Sequence, residues 1–142
     1  MGKQPVNKSR NLTVQRISKG ELFALCTARC LRALREHLSF NQADLAEYTD
    51  MTQPNWSKVE RTGIINIAQL HLACDSMGTT PFRIIQQSHS LYDGILSKVL
   101  DLTKGDVPEE FNWSKKNVAE WCDATLLEYY ETAANINLLG EK

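Results

Sequence analysis

Residues 41–60 read NQADLAEYTDMTQPNWSKVE, and this stretch decides the fold. Asn41 is a good N-cap, because its side-chain oxygen accepts from the free backbone N–H groups of a first helical turn. A short helix is therefore predicted over 42–48, with Leu45 and Ala46 facing inward. Asp50, Met51 and Thr52 make a tight connection, and Thr52 is placed to cap a further helix from 53 to about 61. Pro54 falls in the first turn of that helix, where its missing N–H costs nothing. Gly63 ends it, as glycine commonly does just past the last helical residue.

Upstream, Leu22, Leu25, Cys26, Cys30, Ala33, Leu34 and Leu38 recur at three- and four-residue steps, with Arg29, Arg32 and Glu36 between them. That period predicts an amphipathic first helix over 21–38. Downstream, Asn66 is predicted to cap a fourth helix over 67–77, buried through Leu70, Ala73, Cys74 and Met77 and closed by Gly78. Thr80 and Pro81 open a fifth that carries Phe82, Ile84 and Ile85. Five short helices thus precede Gln87. Beyond them, Leu91, Ile95, Val99 and Leu102 indicate a separate helix, broken by Gly105 and Pro108. Ser114 then caps a long final helix to about 135, with Val118, Trp121, Cys122, Thr125, Tyr129 and Ala133 on one face. No internal repeat occurs, and no strand-like alternation of any length.

Two short helices on a rigid turn brace each other only if apolar residues meet at fixed offsets, leaving the second helix free to lie in a DNA groove. Leu45, Ala46, Trp56 and Val59 supply that lattice, and small Ala46 permits a close crossing. Gln53, Asn55 and Lys58 are the polar positions of the second helix; Gln and Asn bond adenine edges bidentately, and Lys favours guanine edges or phosphate. The stretch resembles, almost position for position, the helix-turn-helix of the lambdoid phage repressor and Cro family, also called the Xre family. The resemblance covers roughly residues 31–87 and includes the five-helix order, Gln42, Leu45 and Ala46, and Ser57, Val59 and Glu60. It implies an all-α, five-helix phage-repressor-like domain, here followed by a C-terminal helical extension. It also implies base readout at Gln53, Asn55 and Lys58 and a phosphate contact by Gln42, with Thr52 and Ser57 in the same DNA-facing set. In related domains an Arg and a Glu at the positions of Arg35 and Glu60 join the first helix to the third. Three positions depart from the pattern: Pro54 stands where many relatives have a polar contact residue, Asp50 replaces the usual turn glycine, and Trp56 is larger than the usual Ile or Val. These imply altered specificity on a retained fold, since Asp tolerates left-handed backbone better than most residues.

Composition agrees with a folded chain built on one main core: 142 residues, 42% hydrophobic and 23% charged. The net charge of -1 conceals an asymmetry, with 11 Lys+Arg against 7 Asp+Glu in 1–88 and 5 against 10 in 89–142. The acidic half makes a poor DNA face. The expected division is a basic tail over 1–20, a helix-turn-helix DNA-binding domain over 21–88, and an acidic helical extension over 89–142 for dimerisation or partner binding. Lys3, Lys8, Arg10, Arg16 and Lys19 give the tail two readings, a solvated leader or a phosphate-gripping arm. Cys26, Cys30, Cys74 and Cys122 lack paired spacing and read as core. A metal site on the Cys26, Cys30 and His37 stripe would need further ligands that the sequence does not supply, so no metal or other cofactor is expected. His71 and His89 have no partners at ligand spacing, and the aromatic residues Phe111, Trp113, Trp121, Tyr129 and Tyr130 read as packing or dimerisation before a ligand pocket.

The function expected from these residues is a sequence-specific DNA-binding transcriptional regulator, a repressor acting as a homodimer on a palindromic operator. Its partners would be double-stranded DNA, a second copy of itself, and possible protein partners through the C-terminal helices. The alternative is an antitoxin-like protein whose C-terminal helices bind a basic partner while the helix-turn-helix autoregulates. No nucleophile–base pair, phosphate loop or metal cluster points to an enzyme. No apolar run approaches the ~20 residues that span a bilayer, and the N-terminus lacks a secretory apolar stretch. The expected location is the cytoplasm, at the nucleoid when bound to DNA, with no membrane association.

Overall fold

The computed structural model describes residues 17–103, 110–111 and 114–140 of the chain. Six helices and one pair of very short strands follow in the order β1 (Ile17–Ser18), α1 (Lys19–His37), α2 (Gln42–Tyr48), α3 (Gln53–Thr62), α4 (Ile67–Ser76), α5 (Pro81–Thr103), β2 (Glu110–Phe111) and α6 (Lys115–Gly140). The fold is all-α. Among the described residues, no helix is long and apolar enough to cross a membrane.

Each helix of the first half starts on a side-chain cap. Ser18 and Glu21 form a reciprocal capping box at α1, both bonds being 3.2 Å, and Asn41 and Asp44 do the same at α2, at 2.8 and 2.9 Å. Two otherwise unpaired N–H groups are satisfied in each case. Thr52 and Asn66 accept from Asn55 and Gln69 at the starts of α3 and α4, at 3.2 and 2.7 Å. Thr80 and Ser114 cap α5 and α6 in the same way. The turn between α2 and α3 places Asp50 at φ 58, and Gly63 ends α3 at φ 75.

The core is a single buried cluster. Leu22, Cys26, Cys30 and Leu31 of α1 meet Leu45 of α2, Trp56 and Val59 of α3, and Leu70 and Cys74 of α4. The same cluster includes Ile84, Leu91 and Ile95 of α5 and Val118, Cys122 and Leu126 of α6. At the α5–α6 contact, a Cβ added to Gly94 would lie 2.8 Å from the Trp121 ring, so the missing side chain lets that ring close on α5.

Four expectations need correction. The two helices foreseen on either side of residues 87–91 are one 23-residue helix, α5, which crosses position 88 without a break. Nothing between Gln87 and Leu91 stops a helix, and the buried positions Ile84, Ser88, Leu91 and Ile95 continue at helical steps. On α6 the buried line is Val118, Cys122 and Leu126, while Tyr129 is 55% exposed. Leu38, foreseen on the inner face of the first helix, is 38% exposed at the C-cap of α1. Finally, the end of the supposed polar tail is structured: Ile17 is fully buried, and β1 pairs antiparallel with β2 through Ile17 opposite Phe111. Two residues are too few to leave a period-two signal in sequence. Lys3, Lys8, Arg10 and Arg16, and with them the phosphate-arm reading, lie outside the described residues.

Candidate nucleic-acid interface

The site is built around one carboxylate. Glu60 lies on the inner side of α3 and is 2% exposed. Arg35 of α1 donates to it through two nitrogens, Nε to Oε2 at 2.5 Å and Nη2 to Oε1 at 3.0 Å. Gln42, at the start of α2, donates from Nε2 to Oε1 at 2.9 Å. The indole Nε1 of Trp56 donates to Oε2 at 2.6 Å from one turn earlier on α3. Arg35 also donates from Nη1 to the Phe40 carbonyl at 2.9 Å, which ties the α1–α2 corner to the same group. A carboxylate taken out of water is expensive unless its lone pairs are filled. Here four N–H bonds fill them, and three helices are fixed to one point. Trp56 is fully buried and supplies a donor that an aliphatic residue lacks.

That arrangement leaves the opposite side of α3 bare. Gln53, Asn55 and Lys58 are exposed, and their side chains have no protein partner among the described residues. Thr52 is exposed with its oxygen engaged as the cap of α3, and Ser57 is half-buried beside Trp56. Gln42 is half-buried and keeps one of its two amide N–H groups after bonding Glu60. The structure therefore brings Arg35, Gln42, Trp56 and Glu60 together directly and sets Gln53, Asn55 and Lys58 out to solvent on the first two turns of α3. Arg61, not singled out from the sequence, is also exposed in the last turn.

Sequence reasoning missed several polar links, of which two contrast. Arg29 of α1, expected on the outer face, is 8% exposed and grips Asp123 of α6 with Nε to Oδ1 at 2.9 Å and Nη2 to Oδ2 at 2.6 Å. The hydrogen bonds to Asp123 hold its guanidinium pKa above the usual arginine value. No local pattern pairs residues 94 positions apart. The Trp56–Glu60 bond, by contrast, follows an i,i+4 spacing that was open to inspection.

Among the described residues, no group of three or more His, Cys, Asp or Glu is arranged to hold a metal ion. His37 stacks instead on Tyr130, with ring centroids 4.4 Å apart. All four thiols are free and buried, with Cys26 and Cys122 sulfurs 4.0 Å apart. The Cys122 hydrogen bond and burial push the Cys26 thiol pKa far up; burial raises Cys30 to about 12 and Cys74 to about 11. Because the thiolate is the reactive form, native protein at pH 8 is expected to show essentially no reaction with an aromatic disulfide reagent. All four thiols should react once the chain is unfolded in denaturant. A fast-reacting thiol in the native protein would contradict the burial of the cysteines on α1, α4 and α6.

Fold and site together define an all-α domain organised around a helix-turn-helix, α2 and α3, with a carboxylate-centred brace behind it. No family model matches the sequence, and no curated protein matches it. Among solved structures, the crystal structure of the clp gene regulator ClgR from Corynebacterium glutamicum is similar to this chain, with a TM-score of 0.48 and 18% identity. The likeness spans 57% of this chain and 93% of that one.

Proposed function

We propose that the chain is a sequence-specific DNA-binding transcriptional regulator, a repressor of the lambdoid phage repressor and Cro kind. The observation that carries this reading is the pairing of an unpartnered polar face on α3 with a buried face locked by Glu60. Gln53 and Asn55 are then placed to bond base edges in the major groove, and Lys58 a guanine edge or a phosphate. The free amide N–H of Gln42, with the Thr52 hydroxyl and Ser57, faces the adjoining backbone phosphates. The positive end of the α3 dipole at Thr52 adds to that attraction. One such module buries too little DNA for high affinity, so the working form is a homodimer on a palindromic site. Exposed Leu127 on α6, at 61%, supplies apolar surface for self-association away from the groove between α5 and α6.

Selection of bound duplexes from a random pool tests the proposal, with a two-fold-related sequence as the expected product. Gln53→Ala should then weaken binding to that sequence by ~1–3 kcal/mol without lowering thermal stability. Lys58→Ala should reduce the salt dependence of binding if the contact is to phosphate. Failure to enrich any sequence, or a Gln53→Ala variant that binds as tightly as the parent, would overturn the assignment.

A further inference from the structure

A groove of about 610 Å³ lies between the end of α4, the first half of α5, and α6. Small-molecule sites commonly measure about 300–1,000 Å³, mostly apolar with a few placed polar groups. Ile84 and Leu126, each 2% exposed, form its inner wall, and the rings of Trp121, Tyr129 and Tyr130 line the α6 side. Its charge pattern is distinctive. α6 carries Glu120, Asp123, Glu128 and Glu131, yet none of them lines the groove. Arg83 is the one formally charged residue in the lining, and its guanidinium has no carboxylate partner among the described residues. Gln86, Gln87, Ser90 and the Tyr130 hydroxyl share the lining, so the polar groups in company with the cation are neutral.

We propose that this groove binds a small amphipathic organic anion, with an aromatic body against Trp121, Tyr129 and Tyr130 and a carboxylate or sulfonate at Arg83. Three rings supply flat contact area, and a single unpaired cation supplies one charge-assisted contact. A longer polyanionic partner would meet no second cation along the lining. The site is separate from the exposed face of α3, and its test requires no DNA.

Full-length protein is titrated with 8-anilinonaphthalene-1-sulfonate and, in parallel, with N-phenyl-1-naphthylamine, which has the same rings without the sulfonate. The sulfonate is expected to bind one saturable site. Arg83→Gln, at an exposed position, should weaken it roughly tenfold while leaving the neutral probe within about twofold. Thr125→Trp, which fills the groove, should abolish both. A variant left as a compact, loosely packed globule would bind more of the anionic probe, and one left unfolded would lose its helical far-UV circular dichroism, so both are told apart from a folded variant that has lost the site. The proposal is overturned by absence of saturable binding, by Arg83→Gln changing neither probe or both alike, or by Thr125→Trp leaving binding intact. It is equally overturned if affinity falls with protein concentration, since a second copy then covers the groove.

Discussion

Gly63→Ala is expected to be among the most damaging single substitutions in this protein, with a loss of about 4 kcal/mol or more. The αL conformation at φ 75 lets Gly63 turn the chain out of α3, and its N–H bonds the Val59 carbonyl at 2.7 Å. An alanine there meets two separate penalties. The left-handed backbone costs a non-glycine residue about 1–2 kcal/mol. The added Cβ would also stand 1.8 Å from the Ala24 carbonyl oxygen on α1, an overlap between two backbones that no rotamer change relieves. α1 and α3 would have to separate, opening the core at Trp56 and Val59. Gly78→Ala provides the control, because Gly78 has φ 73 with nothing within 4 Å of its missing Cβ. It should lose only the conformational part. Thermal or urea unfolding of both variants checks the argument, and similar losses in the two would show that the α1–α3 contact is looser than described.

Glu60→Ala is expected to lower stability by about 3–5 kcal/mol, because it leaves the buried Arg35 with only the Phe40 carbonyl as a hydrogen-bond acceptor and the exposed Glu36 carboxylate 3.8 Å away. The amide of Gln42 and the indole of Trp56 lose their acceptor as well. Arg35→Met alone should cost a similar amount by leaving the carboxylate uncompensated. The paired change of Arg35→Met with Glu60→Leu should be far milder than the sum, since removing both charges together ends the desolvation penalty. Urea unfolding of the two single variants and the double supplies the cycle. Additive losses would mean that the two side chains act independently. Trp56→Phe isolates the indole bond, and a loss near 1 kcal/mol is expected beyond the packing change.

These two effects differ in how far a reader of the chain alone would foresee them. The cap residues Asn41, Thr52 and Asn66, the glycine after α3, and the three- and four-residue apolar steps each act within about one helical turn. Local sequence is enough to place α1 to α4, because a cap oxygen bonds an N–H three positions away and a buried stripe repeats every turn. The all-α class follows from the same short-range rules, and so does the exposure of Gln53, Asn55 and Lys58, opposite an apolar lattice on one short helix. The continuity of α5 was legible in principle, since residues 87–91 contain no glycine or proline, but the stripe is carried there by Ser88, a polar residue. Ser88 is buried only because it bonds Thr27 across α1 and the Ile84 carbonyl behind it.

What tertiary structure decided concerns residues far apart in the chain. The sequence alone could not say that Asp123 would neutralise Arg29, that Ile17 would be buried as part of a two-residue strand pair, or that Trp121 would close on Gly94. Each depends on α5 and α6 folding back along α1, and a contact between distant segments leaves no periodic trace in either one. Glu60 shows both sides. Its place on the inner face of α3 could be read from helical spacing, and its pairing with Arg35 from resemblance. The Trp56 bond lies within one helical turn of it, but that the same carboxylate would also take Gln42 was settled by where three helix ends converge, because a charge removed from water draws in every donor within reach until its lone pairs are filled.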